Sequence, residues 1–222
     1  MPEVSLLHDA FMENTEMGSS STLLTSQYKI LDACGIKLPL SLNDTSTICI
    51  LKTVKHALKE SFIVNWKKEL FNDVRKENGN KLRGYREYKN SFKKEEYLSV
   101  IQDKSVRSAF AKLRLSAHNL EIERGRYVLK KDRVTPENRI CRYCDVKCCE
   151  DEIHFTLDCE LYSDLRDHLF TNIDTRFPFF NEFQKQDKFI WLMANVDEGI
   201  ITLVTKYIYN CFKRRNRTIH PL

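Results

Sequence analysis

The residues that interrupt regular structure are scarce in this chain. Its 222 residues include six glycines and five prolines, against thirteen phenylalanines and nine tyrosines. Glycine and proline are the strongest local breaks between elements, so their low number favours helices joined by few turns. Long apolar runs are also missing. None approaches the roughly 20 residues of a membrane-spanning helix, which argues against an integral membrane protein.

A secretory signal is not visible either. The first residues, Met-Pro-Glu-Val, lack the basic start and the apolar run of such a signal. We therefore expect an intracellular protein, nuclear or cytoplasmic, whose eight cysteines are reduced thiols that can bind a metal. With 42% hydrophobic and 30% charged residues, the chain is typical of one globular domain or two small ones. The net charge of +5 permits a polyanionic partner without requiring one.

Apolar residues recur at helical spacing along most of the sequence. Two helices are predicted near the start, over 5–12 and 23–33. The longest predicted helix covers 45–77 and begins after a capping sequence at Asn43 and Asp44. Further helices are predicted over 95–101, 104–118, 161–172, 182–195 and 197–214.

Three cysteines and one histidine form the sharpest motif in the chain. Cys141, Cys144, His154 and Cys159 follow the spacing C-x2-C-x9-H-x4-C. Three thiolates and one imidazole are the donors that a closed structural zinc site uses, at about 2.3 Å and 2.0 Å from the ion. Apolar periodicity is weak in this region, so we expect a metal to fix the backbone in place of a hydrophobic core.

The spacing of the second ligand pair constrains the local backbone. His154 and Cys159 lie five residues apart, and a regular α-helix would rotate their side chains away from each other. We therefore expect the helix to end or tighten near Asp158. The imidazole nitrogen that does not bind the metal should have an oxygen partner.

Two further cysteines leave the ligand set open. Cys148 and Cys149 lie between the two ligand pairs, and either could replace His154 or Cys159. Another interpretation is a group of buried, reduced thiols beside a core histidine. A zinc hydrolase needs an open coordination position, and a thiol-rich set of four ligands leaves none.

These patterns predict a mainly α fold. We expect an irregular multi-helix assembly with a small zinc-knuckle module, made of a short hairpin and a helix. The predicted parts are N-terminal helices and a linker (1–42), a helical region with a basic surface (43–120), a zinc-binding module (121–172) and C-terminal helices with a basic tail (173–222).

Several stretches of the sequence carry a family resemblance. Residues 111–127, 139–144 and 150–162 resemble the C-terminal region of non-LTR, LINE-type retrotransposon reverse transcriptases. Residues 66–71 and 81–88 resemble the helices that link the polymerase thumb to that region. The resemblance implies a zinc-binding segment and a role in holding template RNA and target DNA near the catalytic modules.

The resemblance also implies functions for particular parts of the chain. Cys141, Cys144, His154 and Cys159 match the ligand positions of the family's zinc motif, and 43–120 corresponds to the thumb-to-tail linker. The aromatic-x-Asp-Asp signature of the polymerase, whose carboxylates hold metal ions, is absent, as is any endonuclease signature. We therefore expect no enzyme activity. The chain resembles the tail of such an element, truncated or encoded alone, and a reverse transcriptase polymerase domain is a candidate partner.

Basic and aromatic residues alternate ahead of the cysteine motif. Residues 67–94 hold ten Lys or Arg against four Asp or Glu, with Phe and Tyr between them. Cations can contact phosphates, and exposed rings can stack on unpaired bases. The tail 213–217 is also basic. The candidate nucleic-acid contacts are Arg83, Tyr85, Arg86, Tyr88, Lys89, Arg124, Arg126, Lys130, Lys131 and Arg142.

The function predicted from these features is non-catalytic binding of RNA or single-stranded DNA. The alternative is a structural or protein-interaction helical module, or a retroelement relic without a selected function. One observation separates them. Binding is favoured if Arg83, Arg86, Arg124 and Arg126 share an exposed surface with Tyr85 or Tyr88. The alternative is favoured if those arginines pair with carboxylates and the rings are buried.

Overall fold

The structure is a computed structural model that describes residues 47–72, 80–89 and 91–219, together with residue 32. The chain divides into two compact units, residues 1–69 and 70–222. The helix predicted over 5–12 lies outside the described residues, as does the one over 23–33 apart from Asp32. The four-part division drawn from the sequence stays a prediction.

The first long helix, α1, covers Thr47–Leu70, inside the predicted range 45–77. Just beyond its end, the Asn80 amide nitrogen donates to the Leu70 carbonyl at 2.7 Å. The Asn80 side-chain oxygen accepts a hydrogen bond from the Leu82 backbone N–H at 2.8 Å. The last carbonyls of a helix have no helical partner, so Asn80 satisfies one of them where α1 stops.

Seven further α-helices lie in the described part of the second unit. The last two were expected over 182–195 and 197–214, and the structure extends the final one to Ile219. In chain order these helices are α2 (Tyr85–Tyr88), α3 (Tyr97–Val100), α4 (Lys104–Arg114), α5 (Glu121–Arg124), α6 (Ser163–Asp174), α7 (Lys185–Ala194) and α8 (Glu198–Ile219).

Helix α4 has a well-defined start and stop. The Asp103 carboxylate accepts hydrogen bonds from the backbone N–H groups of Ser105 at 2.7 Å and Val106 at 3.2 Å, as an N-cap residue does. The helix ends at Arg114 and not at the predicted 118. The reason is Ser116, whose φ of 47° lies in the left-handed region and cannot continue a right-handed helix.

Helix α8 lies at the centre of the hydrophobic core of the second unit. Ile200, Val204, Ile208 and Cys211 are buried along one side of it. The helix packs against α4, α6 and α7. Because this core brings together residues from both ends of the unit, α8 is the element on which the other helices are assembled.

The cysteine region shares that core. Cys141, Phe155, Cys159 and Tyr162 are buried in the same cluster as the helices. The Phe155 ring lies 4.6 Å, centroid to centroid, from that of Phe212 on α8. The expectation that a metal replaces a hydrophobic core here is therefore wrong, since two large aromatic side chains anchor the region.

The prediction of a mainly α fold is confirmed, and the described residues contain no β-strand. Where a short hairpin was expected, the structure has one isolated antiparallel bridge between Ile140 and Cys149. Within the described part of the chain, we find no helix with the length and apolarity needed to cross a membrane.

Candidate metal centre and basic surface

The four predicted ligands come together in space. One donor atom from each of Cys141, Cys144, His154 and Cys159 lies within 4.8 Å of all the others. The two sulfurs of Cys141 and Cys159 are 4.0 Å apart, and the Cys144 sulfur is 3.4 Å from Nε2 of His154. In a tetrahedron with zinc–sulfur bonds of 2.3 Å the sulfurs would be about 3.8 Å apart. The residues present therefore fit a zinc ion.

The first ligand pair is held by a tight loop. The Cys141 N–H donates to the Cys148 carbonyl at 2.8 Å, and the Glu150 N–H donates to the Arg139 carbonyl at 2.9 Å. Inside the loop, the Tyr143 N–H points at the Cys141 sulfur at 3.5 Å. An N–H directed at sulfur stabilises a thiolate, which is the form that binds a metal.

The second ligand pair is aligned by a π turn over His154–Asp158. The Cys159 N–H donates to the His154 carbonyl, five residues earlier, at 2.9 Å. An i→i+5 hydrogen bond closes one turn over five residues, so His154 and Cys159 lie on the same side. The helix does end near Asp158, as expected, but its last turn widens where we expected it to tighten. The wider turn is what the five-residue spacing requires.

Cys148 and Cys149, the alternative ligands, lie outside this four-donor group. The Cys148 sulfur is 2.9 Å from Nδ1 of His154, on the ring side opposite Cys144. It occupies the place where an oxygen partner was expected, so a sulfur orients the imidazole. The Cys149 thiol donates to the Pro136 carbonyl at 3.2 Å. Burial raises the pKa of the Cys149 thiol to about 12, which keeps it protonated.

The three thiols of the site differ in their pKa. The hydrogen bond from Cys159 lowers the pKa of Cys141, and the same contact raises the pKa of Cys159. Burial raises the pKa of Cys144. A metal that binds three thiolates must displace the protons of Cys144 and Cys159. Metal binding at this site would therefore depend on pH.

A buried ion pair connects the metal region to α8. Arg215, only 1% exposed, donates to both carboxylate oxygens of Glu150 at 2.9 Å. Glu150 also accepts a hydrogen bond from the Glu121 N–H at 2.8 Å. The Arg215 guanidinium lies 4.8 Å from the centre of the Tyr143 ring, inside the C-x2-C turn. Sequence analysis placed Arg215 in an exposed basic tail, and the structure makes it an internal brace.

Most of the arginines that were predicted to bind nucleic acid contact glutamates. Arg83 contacts Glu123 at 2.6 Å and Glu152 at 2.9 Å. Arg126 pairs with Glu123 at 2.9 Å. Arg124 and Arg142 contact Glu121 at 3.1 Å and 3.5 Å, yet they stay 51% and 64% exposed. Arg86 lies 3.6 Å from Glu87.

The predicted aromatic contacts face inward. The Tyr88 hydroxyl donates to the Arg114 carbonyl at 2.7 Å, and the Tyr85 hydroxyl to Glu95 at 3.0 Å. Lys89 is buried and pairs with Glu95 at 2.8 Å. Both rings face the guanidinium of Arg114, which is 4.8 Å from the Tyr88 centroid and 5.9 Å from that of Tyr85. These side chains form a cation–π cluster, in which the rings of Tyr85 and Tyr88 are partly buried.

Exposed cations and an exposed ring also occur together in the short segment 127–133, which we call the basic loop. Lys130 and Lys131 are exposed there. Tyr127 is 76% exposed, although sequence analysis did not select it. Tyr127 lies within a run of cationic residues, and this position is the sequence signal that could have identified it. The Lys81 ammonium, 3.5 Å from the Tyr127 hydroxyl, adds a further positive charge.

Neither the protein-family models, nor the curated proteins, nor the solved structures contain a match to the chain.

Proposed function

We propose that this chain is a non-catalytic nucleic-acid-binding protein whose fold is held by one zinc ion. Cys141, Cys144, His154 and Cys159 would be its ligands. When bound, zinc fixes four donors in one tetrahedron and thereby joins the loop around the C-x2-C turn to the π turn. Four protein ligands leave no open position, which supports a structural ion. A zinc knuckle of a short hairpin and a helix is part of this proposal.

The resemblance to LINE-type reverse transcriptases supports the binding role. On that basis the chain corresponds to the tail region of such an element, and RNA or single-stranded DNA is its ligand. It acts inside the cell, with a reverse transcriptase polymerase domain as a candidate partner. The resemblance carries no catalytic step to this chain, because the polymerase signature is absent from it.

The observation that carries the proposal is the exposed basic loop beside the metal centre. Tyr127 can stack on an unpaired base while Lys130 and Lys131 contact the neighbouring phosphates. The base of the loop is fixed by Arg139, which is buried and donates to the Ile122 carbonyl at 2.5 Å and to the Val134 carbonyl at 3.4 Å. Since Arg139 lies two residues before Cys141, the metal centre and the loop share one support.

The side chains around the loop add positive charge. Arg124 and Arg142 are more than half exposed while they contact Glu121. Since Glu121 itself is buried, the solvent-facing N–H groups of the two guanidinium groups can donate to a phosphate while the contacts with Glu121 are kept. The nucleic-acid surface we propose is therefore centred on Tyr127, and the strip around Arg83 and Tyr85 serves the fold.

Binding of fluorescent single-stranded oligonucleotides, RNA and DNA, tests this surface. Tyr127→Ala should raise Kd about 5- to 150-fold, the loss expected for one stacked base. Replacing Lys130 and Lys131 with glutamine should lower the slope of log K against log salt by about 0.7 per lysine. Fluorescence anisotropy over a salt series measures both quantities.

Phe179→Ala is the matched control, because Phe179 is another large aromatic side chain with 70% exposure and lies far along the chain. Its affinity should equal that of the wild type. Wild-type protein that fails to bind either oligonucleotide at low salt, or that binds them with no salt dependence, overturns the proposal.

A structural or protein-interaction module is the second candidate. One observation favours it: the arginines and tyrosines of the predicted strip are engaged in internal contacts with Glu95, Glu123 and Glu152. The oligonucleotide experiment separates the two candidates, because a purely structural module would be insensitive to the state of Tyr127.

A further inference from the structure

A groove of about 940 Å³ lies between α4 and α8, outside the surface proposed above. Lysines stand on both of its sides, Lys104 and Lys112 from α4 and Lys213 from α8. The groove is also lined by Ser105, Ser108 and Asn216. Lys104 and Lys112 belong to none of the clusters described above, and Lys213 is the first residue of the basic tail 213–217.

The groove has no negative charge to balance these lysines. Its lining contains no Asp or Glu. No acidic residue occurs in the sequence over 104–120, which covers α4, or over 199–219, which covers nearly all of α8. Among the described residues, none of the three lysines has a carboxylate partner, and all three are exposed. A concave surface that carries only positive charge attracts phosphate groups.

The dimensions favour a ligand with several phosphates. Lys104 and Lys112 are eight residues apart on one helix, so their backbone positions are about 12 Å apart along the axis. That distance is longer than one phosphate group. The floor between the lysines includes Tyr209 and Phe212, both partly exposed. Apolar rings beside cations fit a nucleic-acid strand, which presents sugar and base faces next to its phosphates.

We infer that this groove binds the phosphate backbone of a single-stranded nucleic acid and is a second contact site in addition to the basic loop. The inference rests on the proposed function and extends it to α4 and α8. Lys104, Lys112 and Lys213 pair with successive phosphates, while Ser105, Ser108 and Asn216 donate hydrogen bonds to their oxygens.

The test is the salt dependence of oligonucleotide binding by a variant with all three lysines changed to glutamine. Removing three phosphate contacts should lower the slope of log K against log salt by about 2, at about 0.7 per lysine for single strands. Replacing the same lysines with arginine should restore the slope, because arginine keeps the charge. The melting temperatures of all variants show whether the fold is intact.

The matched control changes Lys93, Lys94 and Lys206 to glutamine. These lysines are exposed and lie outside the groove lining, and both triple variants carry a formal net charge of +5 − 3 = +2. A groove variant that loses no more slope than this control, while the wild type still binds, overturns the groove and leaves the basic loop intact.

Tripolyphosphate is the second ligand in the experiment, because a free polyphosphate has the same charged groups without bases. The inference is supported if the wild type binds the RNA and DNA oligonucleotides and the groove variant shows a smaller slope of log K against log salt. Binding of tripolyphosphate alone overturns the nucleic-acid assignment of the groove and the proposed function together.

Discussion

The buried carboxylate of Glu152 accepts several hydrogen bonds. It accepts from the Ser116 hydroxyl at 2.6 Å, and Nε2 of His118 lies 3.1 Å from it. Arg83 contributes two further bonds at 3.0 Å and 2.9 Å. Through these contacts Glu152, which lies just before the π turn, joins the residue Arg83 ahead of α2 to the segment that follows α4.

Glu152 should make the protein sensitive to acid. Burial raises its pKa, but the His118 hydrogen bond and the charge of Arg83 outweigh burial and lower the pKa to about 2. Because the folded pKa lies below the ordinary value of 4.5, the stabilisation is complete above about pH 4.5 and disappears as the pH falls towards 2. The difference corresponds to about 3 kcal/mol. Urea denaturation of wild type and Glu152→Gln between pH 3 and 7 measures it.

The variant should be less stable than the wild type at pH 7, and the gap should shrink as the pH is lowered. Glu160→Gln is the control, since Glu160 is an exposed acidic residue close in the chain. A gap between Glu152→Gln and the wild type that stays constant across this pH range would contradict the prediction.

The four candidate metal ligands were easier to predict than the ion pairs around them. Cys141, Cys144, His154 and Cys159 follow from spacing, because the metal chemistry fixes residue types within nineteen residues of sequence. The partners of Arg83 could not be read in the same way. Its two glutamates lie 40 and 69 residues away, and a pattern of charges does not say which of them meet in the folded chain.

At the scale of elements, α8 combines two roles along its length. Its first half fills the core with Ile200 and Val204, and its last turns carry Arg214 and Arg215 to the metal region. Arg214 donates to the Leu161 carbonyl at 2.9 Å and pairs with Asp164 at the start of α6. The helix therefore fixes both the loop before the π turn and the helix after it.

Arg215→Gln should destabilise the second unit by about 3 to 5 kcal/mol, because it leaves the buried carboxylate of Glu150 without its cation. Arg217→Gln, an exposed position two residues on, is the matched control and should change the free energy of unfolding by less than about 0.5 kcal/mol. Urea unfolding followed by circular dichroism measures both.

A double variant completes this test. Glu150→Gln together with Arg215→Gln should cost clearly less than the sum of the two single changes, because neither partner is then left charged and alone. If the two effects simply add, the pair contributes nothing as a pair and the bracing role of α8 is refuted.

Helix types and positions were largely predictable, and their ends were not. Helices α6, α7 and α8 follow apolar periodicity, which is a local property. The end of α4 depends on Ser116, whose left-handed backbone accompanies a hydrogen bond to Glu152, 36 residues away. No local signal marks such a stop.

At the scale of the whole molecule, the metal centre and the helices of the second unit share one hydrophobic core. Cys159 and Phe155 are buried with residues of α6, α7 and α8. The metal ligands and the helix core should therefore unfold together. A separate module would instead melt in a step of its own.

Removal of the metal should accordingly lower the melting temperature of residues 70–222 as one cooperative unit. Native mass spectrometry should show one zinc ion per chain, and Cys144→Ser should lose it. Cys149→Ser is the matched control, since Cys149 lies outside the donor group and bonds to Pro136; it should retain the ion and its melting temperature. Calorimetry with and without a chelator measures the shift.

A chain without zinc, or a chelator that leaves the melting curve unchanged, would refute the structural metal site. Loss of zinc in Cys149→Ser would instead show that the fourth ligand was assigned wrongly.

The wide turn at His154–Asp158 ties the spacing of two ligands to the winding of the backbone. In an ordinary α-helix, 3.6 residues to the turn, five residues would leave the imidazole and the Cys159 sulfur about 140° apart around the axis. The tetrahedron can thus be closed only while the chain is underwound at this one point. A metal ion held by these four donors would therefore be coupled to the winding of the helix, and whatever rewinds that turn should also release the ion.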